Sequence, residues 1–351
     1  MSAVAGAPEP LITAVIPTFR RPRLLRRAVA SVLAQENVPL RVCVYDNASG
    51  DETAAVVASL AAGDPRVRYQ CHAENIGGAA NFDFGLRQIE TPFFSILSDD
   101  DYLLPDFYRR ALAGLIDRPE AMFWAGLVLN VDMDGVVWDA RAARWEREGL
   151  FVPPEGFLRM TGGMAPAWTG ILFRREVLEL EGRPDVETLG PSDLEFCLRL
   201  AARFPYLVEK HPSAVFTLND ASFSASQPMS SFWPGWKRMM KKFESDARLS
   251  FDFRKTAHTA VRRDATRMLF RRGANAIAAG RLDFARDAAD GLDADCGLKG
   301  RARLLRVMAA ACARSAVVQH VCTWGYRMAE RRIIRSRGEL QKRYGNLLRP
   351  S

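Results

Sequence analysis

The feature that most constrains this chain is a regular alternation of short apolar runs with segments of helical periodicity between residues 11 and 101. The apolar runs are short enough to be buried strands, and Pro22 suits the first turn of the helix after the first run. Alternation at this spacing predicts βαβ units and a parallel sheet. The predicted strands are residues 11–17, 42–45, 67–69 and 93–97, with helices over 22–33, 51–62 and 79–89.

Polar residues stand at the ends of these predicted strands. They are Thr18, Asp46, Asn75 and the acidic run Asp99–Asp101. In open α/β sheets, ligands bind beyond the carboxyl ends of the strands. We therefore expect these residues to converge on one crevice, although they are far apart in sequence.

The pattern changes twice further along the chain. Residues 102–228 mix shorter strands, near 122–131 and 170–174, with a helix near 193–203, and from 231 onward the chain is helical and rich in Ala and Arg. The Ser- and Pro-rich stretch around residue 229 is typical of a boundary. The predicted organisation is a loose tail over 1–9, an α/β domain over 10–228 and a basic helical region over 229–351.

Charge is divided unequally between these parts. The net charge of +8 combines −8 in residues 1–230 with +16 in residues 231–351. A strongly basic half suggests an anionic partner, and basic amphipathic helices are typical of membrane surfaces. The alternative is a solvated bundle that packs on the first domain or on a second copy of the chain. No nucleic-acid-binding motif is present, so nucleic acid is not an expected partner.

Six scattered cysteines form no CxxC pair, and no apolar run approaches the about 18 residues of a membrane span. The start of the chain has no charged segment followed by an apolar one, as a secretory leader would. We expect a cytoplasmic protein with reduced thiols. Its expected attachment to the inner face of the cell membrane is peripheral.

Five segments carry a resemblance to a known family. They are Val15–Pro22, Asp46–Asp51, Glu74–Gly78 with Asn81, Leu97–Asp101, and Pro191–Phe196 with Arg199. In this order and spacing they resemble the family 2 inverting glycosyltransferases over roughly residues 11–225. The resemblance implies a GT-A fold, which is a Rossmann-like α/β domain with a mostly parallel sheet. It also implies a nucleotide-diphosphate-sugar donor, expected to be a UDP-sugar, and a saccharide or lipid-linked glycan acceptor, as in surface polysaccharide synthesis.

The acidic run corresponds to the DXD region of that family. Carboxylate oxygens suit Mn²⁺ or Mg²⁺, which would neutralise the diphosphate leaving group. Adjacent carboxylates repel one another without a cation or solvent. The resemblance implies that Asp100 or Asp101 contacts the metal and that Asp99 faces the ribose. The alternative is a solvated acidic turn.

The same resemblance places further residues along the donor. It implies that Asp46 holds the nucleotide base, for which the alternative is an Asx-turn. The other implied donor contacts are Pro17, Thr18 and Phe19 at the base and ribose, Arg21 at the phosphates, and Asn75, Gly77 and Gly78 in a turn that opens a helix N-terminus. A plain exposed arginine and a plain β-to-α turn are the alternatives for the last two groups.

An inverting transfer needs one carboxylate to accept the proton of the acceptor hydroxyl. The resemblance assigns this role to Asp193, with Glu195 as the second choice, although the family usually has Glu-Asp where this chain has Ser192-Asp193. Simple stabilisation of a helix start is the alternative. Trp168 is a candidate for the acceptor pocket or for the core. Asn219 stands where the family often carries a metal-binding His.

Two other functions fit parts of this pattern. One is a catalytically silent subunit that binds nucleotide sugar and scaffolds a glycan-assembly complex, supported by the unusual tail and by Asn219. The other is nucleotidyl transfer, which is disfavoured because no glycine-rich, basic phosphate loop follows the first strand. The sequence therefore favours a metal-dependent inverting glycosyltransferase.

Overall fold

The computed structural model describes residues 9–219, 228–336 and 338–348, so the predicted tail lies almost wholly outside the described residues. The strands are β1 Ile12–Thr18, β2 Leu40–Asp46, β3 Val67–Cys71, β4 Phe93–Ile96, β5 Tyr102–Leu103, β6 Phe123–Asp132, β7 Val137–Asp139, β8 Gly149–Phe151, β9 Ile171–Arg174 and β10 Tyr206–Leu218. The helices are α1 Pro22–Leu33, α2 Thr53–Gly63, α3 Gly78–Arg87, α4 Phe107–Asp117, α5 Glu155–Met160, α6 Glu176–Leu180, α7 Ser192–Ala201, α8 Met229–Ser245, α9 Phe251–Ala278, α10 Leu282–Ala294, α11 Lys299–Arg314, α12 Ala316–Ser336 and α13 Gly338–Tyr344.

The strands form one sheet, whose main path runs β3-β2-β1-β4-β9-β6-β10-β5. β1 pairs in parallel with β2 and β4, and β2 pairs in parallel with β3, as the βαβ pattern predicts. Beyond β4 the sheet is mixed, because β9 runs antiparallel between β4 and β6 while β6 and β10 are parallel. β2 and β4 lie on opposite sides of β1, so the chain reverses its direction across the sheet there and leaves a crevice at the carboxyl end of β1.

β1 lies at the centre of the first half, and all seven of its residues are buried. Burial on both faces explains why the run is apolar throughout. The α1 residues that pack on one face are Leu25, Ala28, Val29 and Val32, spaced three and four apart as a core-facing stripe requires. On the other face α3 approaches so closely that a Cβ on Gly85 would lie 2.7 Å from Cγ1 of Val15. Only glycine fits at that contact.

The basic region is helical throughout its described part, and its helices share one hydrophobic core with the sheet. α13 returns to the sheet, where Oε1 of Gln341 accepts a 2.7 Å hydrogen bond from the backbone of Val137. α9 binds the sheet domain through Oδ2 of Asp264, which accepts the Gly162 backbone N–H at 2.6 Å. Met229 therefore marks a change from mixed to helical secondary structure, while the hydrophobic core is continuous on both sides of this residue.

Candidate active site

The candidate site lies at the carboxyl ends of β1, β2 and β4. Thr18 and Asp46, the last residues of β1 and β2, stand beside each other in register. The hydroxyl of Thr18 donates a 2.8 Å hydrogen bond to Oδ2 of Asp99, which lies just past β4. The parallel sheet thus brings together three positions that are separated by up to 81 residues in sequence.

Asp99 ties the loop after β1 to the acidic run. Besides Thr18, the backbone N–H of Phe19 points at the same oxygen at 3.4 Å, and Nη1 of Arg21 lies 3.1 Å from the other oxygen. Asp99 is 6% exposed, and this burial raises the pKa of its carboxyl. The Arg21 charge and the Thr18 hydrogen bond act in the opposite direction and lower it. Asp99 therefore fixes the shape of the crevice wall.

Asp100 shares the same guanidinium, with Nη1 of Arg21 at 2.8 Å from its Oδ2. Its backbone carbonyl accepts a hydrogen bond from Arg27, and Arg27 also donates to the Thr217 hydroxyl at 3.0 Å. Two carboxylates thus face one cationic position at the rim of the crevice. A positive charge is favourable there because it offsets the repulsion between Asp99 and Asp100.

Asp101 points into the fold and is 0% exposed. Its Oδ2 accepts the hydroxyl of Thr169 at 2.6 Å, and its Oδ1 accepts the backbone N–H of Thr217 at 2.8 Å. Burial raises the pKa of this carboxyl to about 8, and the Thr169 hydrogen bond acts against the rise. Asp101 therefore joins β9 and β10 to the end of β4, and the structure does not bring it to the cationic position beside Asp100.

The acidic run offers carboxylate oxygens, which Mn²⁺ and Mg²⁺ prefer as ligands. The described residues contain no group of three or more His, Cys, Asp or Glu side chains arranged to hold a metal ion. Asp99 and Asp100 nevertheless place two carboxylates side by side, and the cation that they share in this structure is the Arg21 guanidinium. Magnesium is commonly bound by one or two carboxylates together with the phosphates of a substrate. The residues present fit that second kind of site.

Asp46 is 2% exposed and accepts three hydrogen bonds. The backbone N–H and hydroxyl of Ser49 bind its Oδ1 at 3.0 and 2.6 Å, and the hydroxyl of Tyr69 binds its Oδ2 at 2.6 Å. The Ser49 contacts form a local turn, which corresponds to the Asx-turn given above as the alternative to base binding by Asp46. Because a carboxylate oxygen can accept two hydrogen bonds, Oδ2 keeps capacity for one more donor.

Asn75 joins the third polar cluster to the second. Its Oδ1 accepts the side-chain amide of Asn47 and the backbone N–H of Gly77, each at 2.9 Å. Gly77 has a φ of +88°, which explains glycine at this position, and α3 begins at Gly78. Asn75 and Gly78 are exposed at the N-terminus of α3. The turn is thus anchored to the β2 loop and open to solvent.

Asp193 lies in the first turn of α7 and is half-buried. Among the described residues, the only hydrogen bond to its carboxylate comes from the backbone N–H of Leu194 at 2.7 Å. Burial raises the pKa of this carboxyl, and its interactions with Leu194 and the Arg141 charge act against the rise. Arg141 also lines a small cavity with Ala167, which lies two residues before the Thr169 that binds Asp101.

Glu195 and Trp168 differ in their surroundings. The Glu195 carboxylate is 0% exposed and pairs with Nε of Arg199 at 2.8 Å and with Nζ of Lys242 at 2.7 Å. The structure does not bring it into the crevice, because ion pairs inside the protein surround it. Trp168 is partly buried and stacks on Phe82 with ring centroids 5.5 Å apart, so it forms part of the wall above α3.

Several functional contacts were not anticipated from the sequence. Tyr69 binds Asp46, Arg27 holds the Asp100 carbonyl, and Thr169 and Thr217 hold Asp101. Thr169 follows Trp168 directly before a predicted strand. A polar side chain at that position is the feature from which a contact with the acidic run could have been predicted. Asn219 follows β10 immediately, two residues after Thr217, and its role stays a prediction.

Comparison with known proteins agrees with this architecture. The model of glycosyl transferase family 2 matches residues 13–180. The chain is 35% identical over 170 residues to the Succinoglycan biosynthesis protein ExoO of Rhizobium meliloti (strain 1021), covering 48% of this chain and 44% of that protein. It is also 35% identical over 96 residues to a GalNAc(5)-diNAcBac-PP-undecaprenol beta-1,3-glucosyltransferase of Campylobacter jejuni, covering 27% and 31% of the two chains. The match thus spans less than half of the length of each of these relatives.

Among solved structures, S. aureus TarS 1-349 has the same fold, with a TM-score of 0.60 over 91% of both chains at 13% identity. That similarity extends over the helical region as well as the sheet. The family match contains β1, β2 and the acidic run, which together form the crevice. Residues 13–180, just under half of the chain, match glycosyl transferase family 2.

Proposed function

We propose that this protein transfers a sugar from a nucleotide-diphosphate donor to a glycan acceptor, with inversion at the anomeric carbon. The observation that carries the proposal is the crevice at the carboxyl ends of β1, β2 and β4, where Asp99 and Asp100 flank the Arg21 guanidinium beside Thr18. The donor would lie across this switch point, as ligands of open α/β sheets do. Pro17, Thr18, Phe19 and Asp46 would face its nucleoside.

The remaining chemistry is divided among three groups. Asp193 would accept the proton of the acceptor hydroxyl as that oxygen attacks the anomeric carbon. Arg21, already poised beside Asp100, would neutralise charge on the departing diphosphate, and Asn75 with the N-terminus of α3 offers a further anion-binding position. A bound Mn²⁺ or Mg²⁺, held by Asp100 and by the phosphates themselves, supplies further neutralisation of that leaving group.

The printed names of similar proteins support the kinds of substrate. TarS 1-349 has been solved with UDP and with UDP-GlcNAc, which supports a UDP-sugar donor. The Campylobacter jejuni relative is named for a glycan carried on PP-undecaprenol, which supports a lipid-linked saccharide as acceptor. The half-buried Asp193 carboxylate, held among the described residues by one backbone N–H, favours an enzyme over a silent scaffold subunit.

A lipid-linked acceptor raises the question of how the protein reaches a membrane, and α12 offers a suitable face. Four apolar side chains at positions i, i+4, i+7 and i+11 point to solvent on this helix, which we name the α12 stripe: Val317 (72% exposed), Val321 (61%), Trp324 (63%) and Met328 (38%). The opposite side of the helix packs inward, where Thr323 donates to the Ala278 carbonyl at 2.8 Å. No helix among the described residues is long and apolar enough to cross a bilayer. The stripe would therefore lie in the interface.

Charge favours an anionic lipid surface over a second copy of the chain as the occupant. Arg327, Arg331 and Arg332 are exposed on the same helix, within a region of net charge +16. A two-fold contact through the stripe would set these arginines close to their own copies, which like charges oppose. Anionic headgroups would instead attract them, at about 1 kcal/mol for each basic residue near the surface.

Vesicle binding tests this face. The full chain should co-sediment with phosphatidylcholine vesicles that contain phosphatidylglycerol, and Trp324→Asp should lower the bound fraction at least fivefold, since it places a charge where apolar burial is needed. Phe251→Asp is the control, because Phe251 is 71% exposed on another helix. Equal binding by both variants would exclude the stripe, and a dimer that only Trp324→Asp dissociates, seen by sedimentation velocity, would assign it to a second copy.

A donor screen tests the transfer itself. Purified protein is incubated with a panel of nucleotide sugars, Mn²⁺ or Mg²⁺ and lipid-linked saccharide acceptors, and released nucleoside diphosphate is measured with and without EDTA. We expect release from one donor, strongest among the UDP-sugars, and its loss in EDTA. Tight nucleotide binding without release from any donor would support the scaffold function instead.

A further inference from the structure

The loop that leads into α7 is held by the helical region. This approach loop, residues 185–191, contains a short 3₁₀ helix at Val186–Thr188 and ends two residues before Asp193. Leu189 within it has a φ of +52°, a conformation that costs a non-glycine residue energy and persists only where the surroundings impose it. Something outside the loop must therefore hold it in place.

α8 supplies that support through two basic side chains one helical turn apart. Nζ of Lys242 lies 3.0 Å from Asp185 at the start of the approach loop and 2.7 Å from Glu195 in the first turn of α7. Arg238 binds Asp185 at 2.7 Å and Glu187 at 2.8 Å. Lys242 thus links the two ends of the segment that carries Asp193.

Backbone packing adds to these ion pairs. A Cβ on Gly235 would lie 2.0 Å from the carbonyl oxygen of Thr188 and 3.3 Å from Cδ of Pro191. α8 therefore touches the approach loop directly, and only glycine permits this distance. The ion pairs and the close contact fall on the same side of α8, because residues 235, 238 and 242 are three and four apart.

The Glu195 contact is the inner end of this arrangement. Its carboxylate is 0% exposed and also binds Arg199, whose Nη2 donates to the Arg183 carbonyl at 3.0 Å. Ion pairs at buried carboxylates are screened less by water than surface pairs. Among the described residues, the Asp193 carboxylate is held only by the backbone N–H of Leu194, the next residue of α7, so its position follows that of the loop and the first turn of α7.

We infer that α8 acts as a clamp on the catalytic segment, with Lys242 and Gly235 as positioning residues for Asp193. This inference rests on the proposed role of Asp193 and assigns the helical region a part in the reaction. Displacements of about 1 Å at a reacting group can lower a rate up to about a hundredfold without changing the binding of the substrate. The clamp therefore affects turnover more than donor affinity.

The test compares Lys242→Met with Lys237→Met. Lys237 lies on the same helix and pairs with Asp295 inside the helical region, at 3.4 Å. Lys242→Met should lower kcat about tenfold with the donor KM unchanged, while Lys237→Met leaves both unchanged. Lys242→Arg should restore at least half of the lost activity, because it keeps the charge. Gly235→Ala should lower kcat by more than Lys242→Met does.

Hydrogen exchange of peptides covering residues 185–198 gives a readout independent of activity. Faster exchange there in Lys242→Met than in Lys237→Met, together with the fall in kcat, supports the clamp. Equal exchange and equal kcat in the two variants would overturn it, as would faster exchange with unchanged kcat. A wild-type protein without turnover would refute the proposed transfer, and the exchange comparison would still decide whether α8 holds the segment.

Discussion

Asp193→Asn is expected to lower kcat of sugar transfer by about 10³-fold, within the range of 10²–10⁴ typical for loss of a general base. Asparagine has nearly the same shape and cannot accept the acceptor proton. The Leu194 backbone contact needs only an oxygen, so the first turn of α7 should keep its structure. Initial rates at saturating donor measure the effect, and donor KM should stay within about twofold because the proposed donor contacts are at the ends of β1, β2 and β4.

The pH dependence of the transfer rate provides a second test of Asp193. Burial raises the pKa of the Asp193 carboxyl above its ordinary 3.8. Transfer requires the unprotonated form, so activity should fall on the acid side at a pH above that ordinary value. Asp117→Asn, at a side chain that is 80% exposed, should change neither the rate nor the profile. A normal rate in Asp193→Asn would remove this residue from the mechanism.

Asp100→Asn is expected to lower donor turnover about 10²-fold at fixed metal concentration, a loss of roughly 3 kcal/mol in transition-state stabilisation. Asparagine has lost the charge that balances Arg21 and attracts a divalent cation. The half-saturating Mn²⁺ concentration should rise as well, which a metal titration of donor release measures.

Asp106→Asn is the matched control, since its side chain is 51% exposed and, within the described part of the chain, pairs only with Arg109 in α4. An Asp100→Asn protein whose metal response is unchanged would show that the cation is held elsewhere. The same titration applied to Asp101→Asn separates the two acids, because Asp101 is engaged by Thr169 and Thr217. A loss confined to Asp101→Asn would contradict the arrangement described above.

The first half of the fold followed from local pattern. β1 to β4 are separated by helices, and each polar cluster stands at the point where a strand ends, so both the parallel order and the crevice could be anticipated. The insertion of β9 between β4 and β6 could not be anticipated. β9 begins 75 residues after the end of β4 and 39 residues after the end of β6, and pairing over such separations leaves no mark in the local periodicity of either neighbour. Register of that kind is set by tertiary packing.

The individual roles of the acids show the same limit. Asp99, Asp100 and Asp101 are adjacent and chemically identical in sequence, yet Asp99 binds Thr18, Asp100 faces Arg21, and Asp101 turns into the core. Their partners come from loops far along the chain, so spacing alone did not distinguish them. Glu195 is similar, because its pairing with Lys242 depends on how α8 packs against α7.

Isothermal titration of UDP into the full chain, in the presence of Mg²⁺, measures nucleotide binding to the crevice. We predict binding of one UDP per chain with a dissociation constant between about 1 µM and 1 mM, weakened at least tenfold in Asp100→Asn and unchanged in Asp106→Asn. If neither UDP nor any other nucleoside diphosphate gave a heat of binding at protein concentrations above that range, the crevice would not be a nucleotide site and the proposed transfer would be wrong.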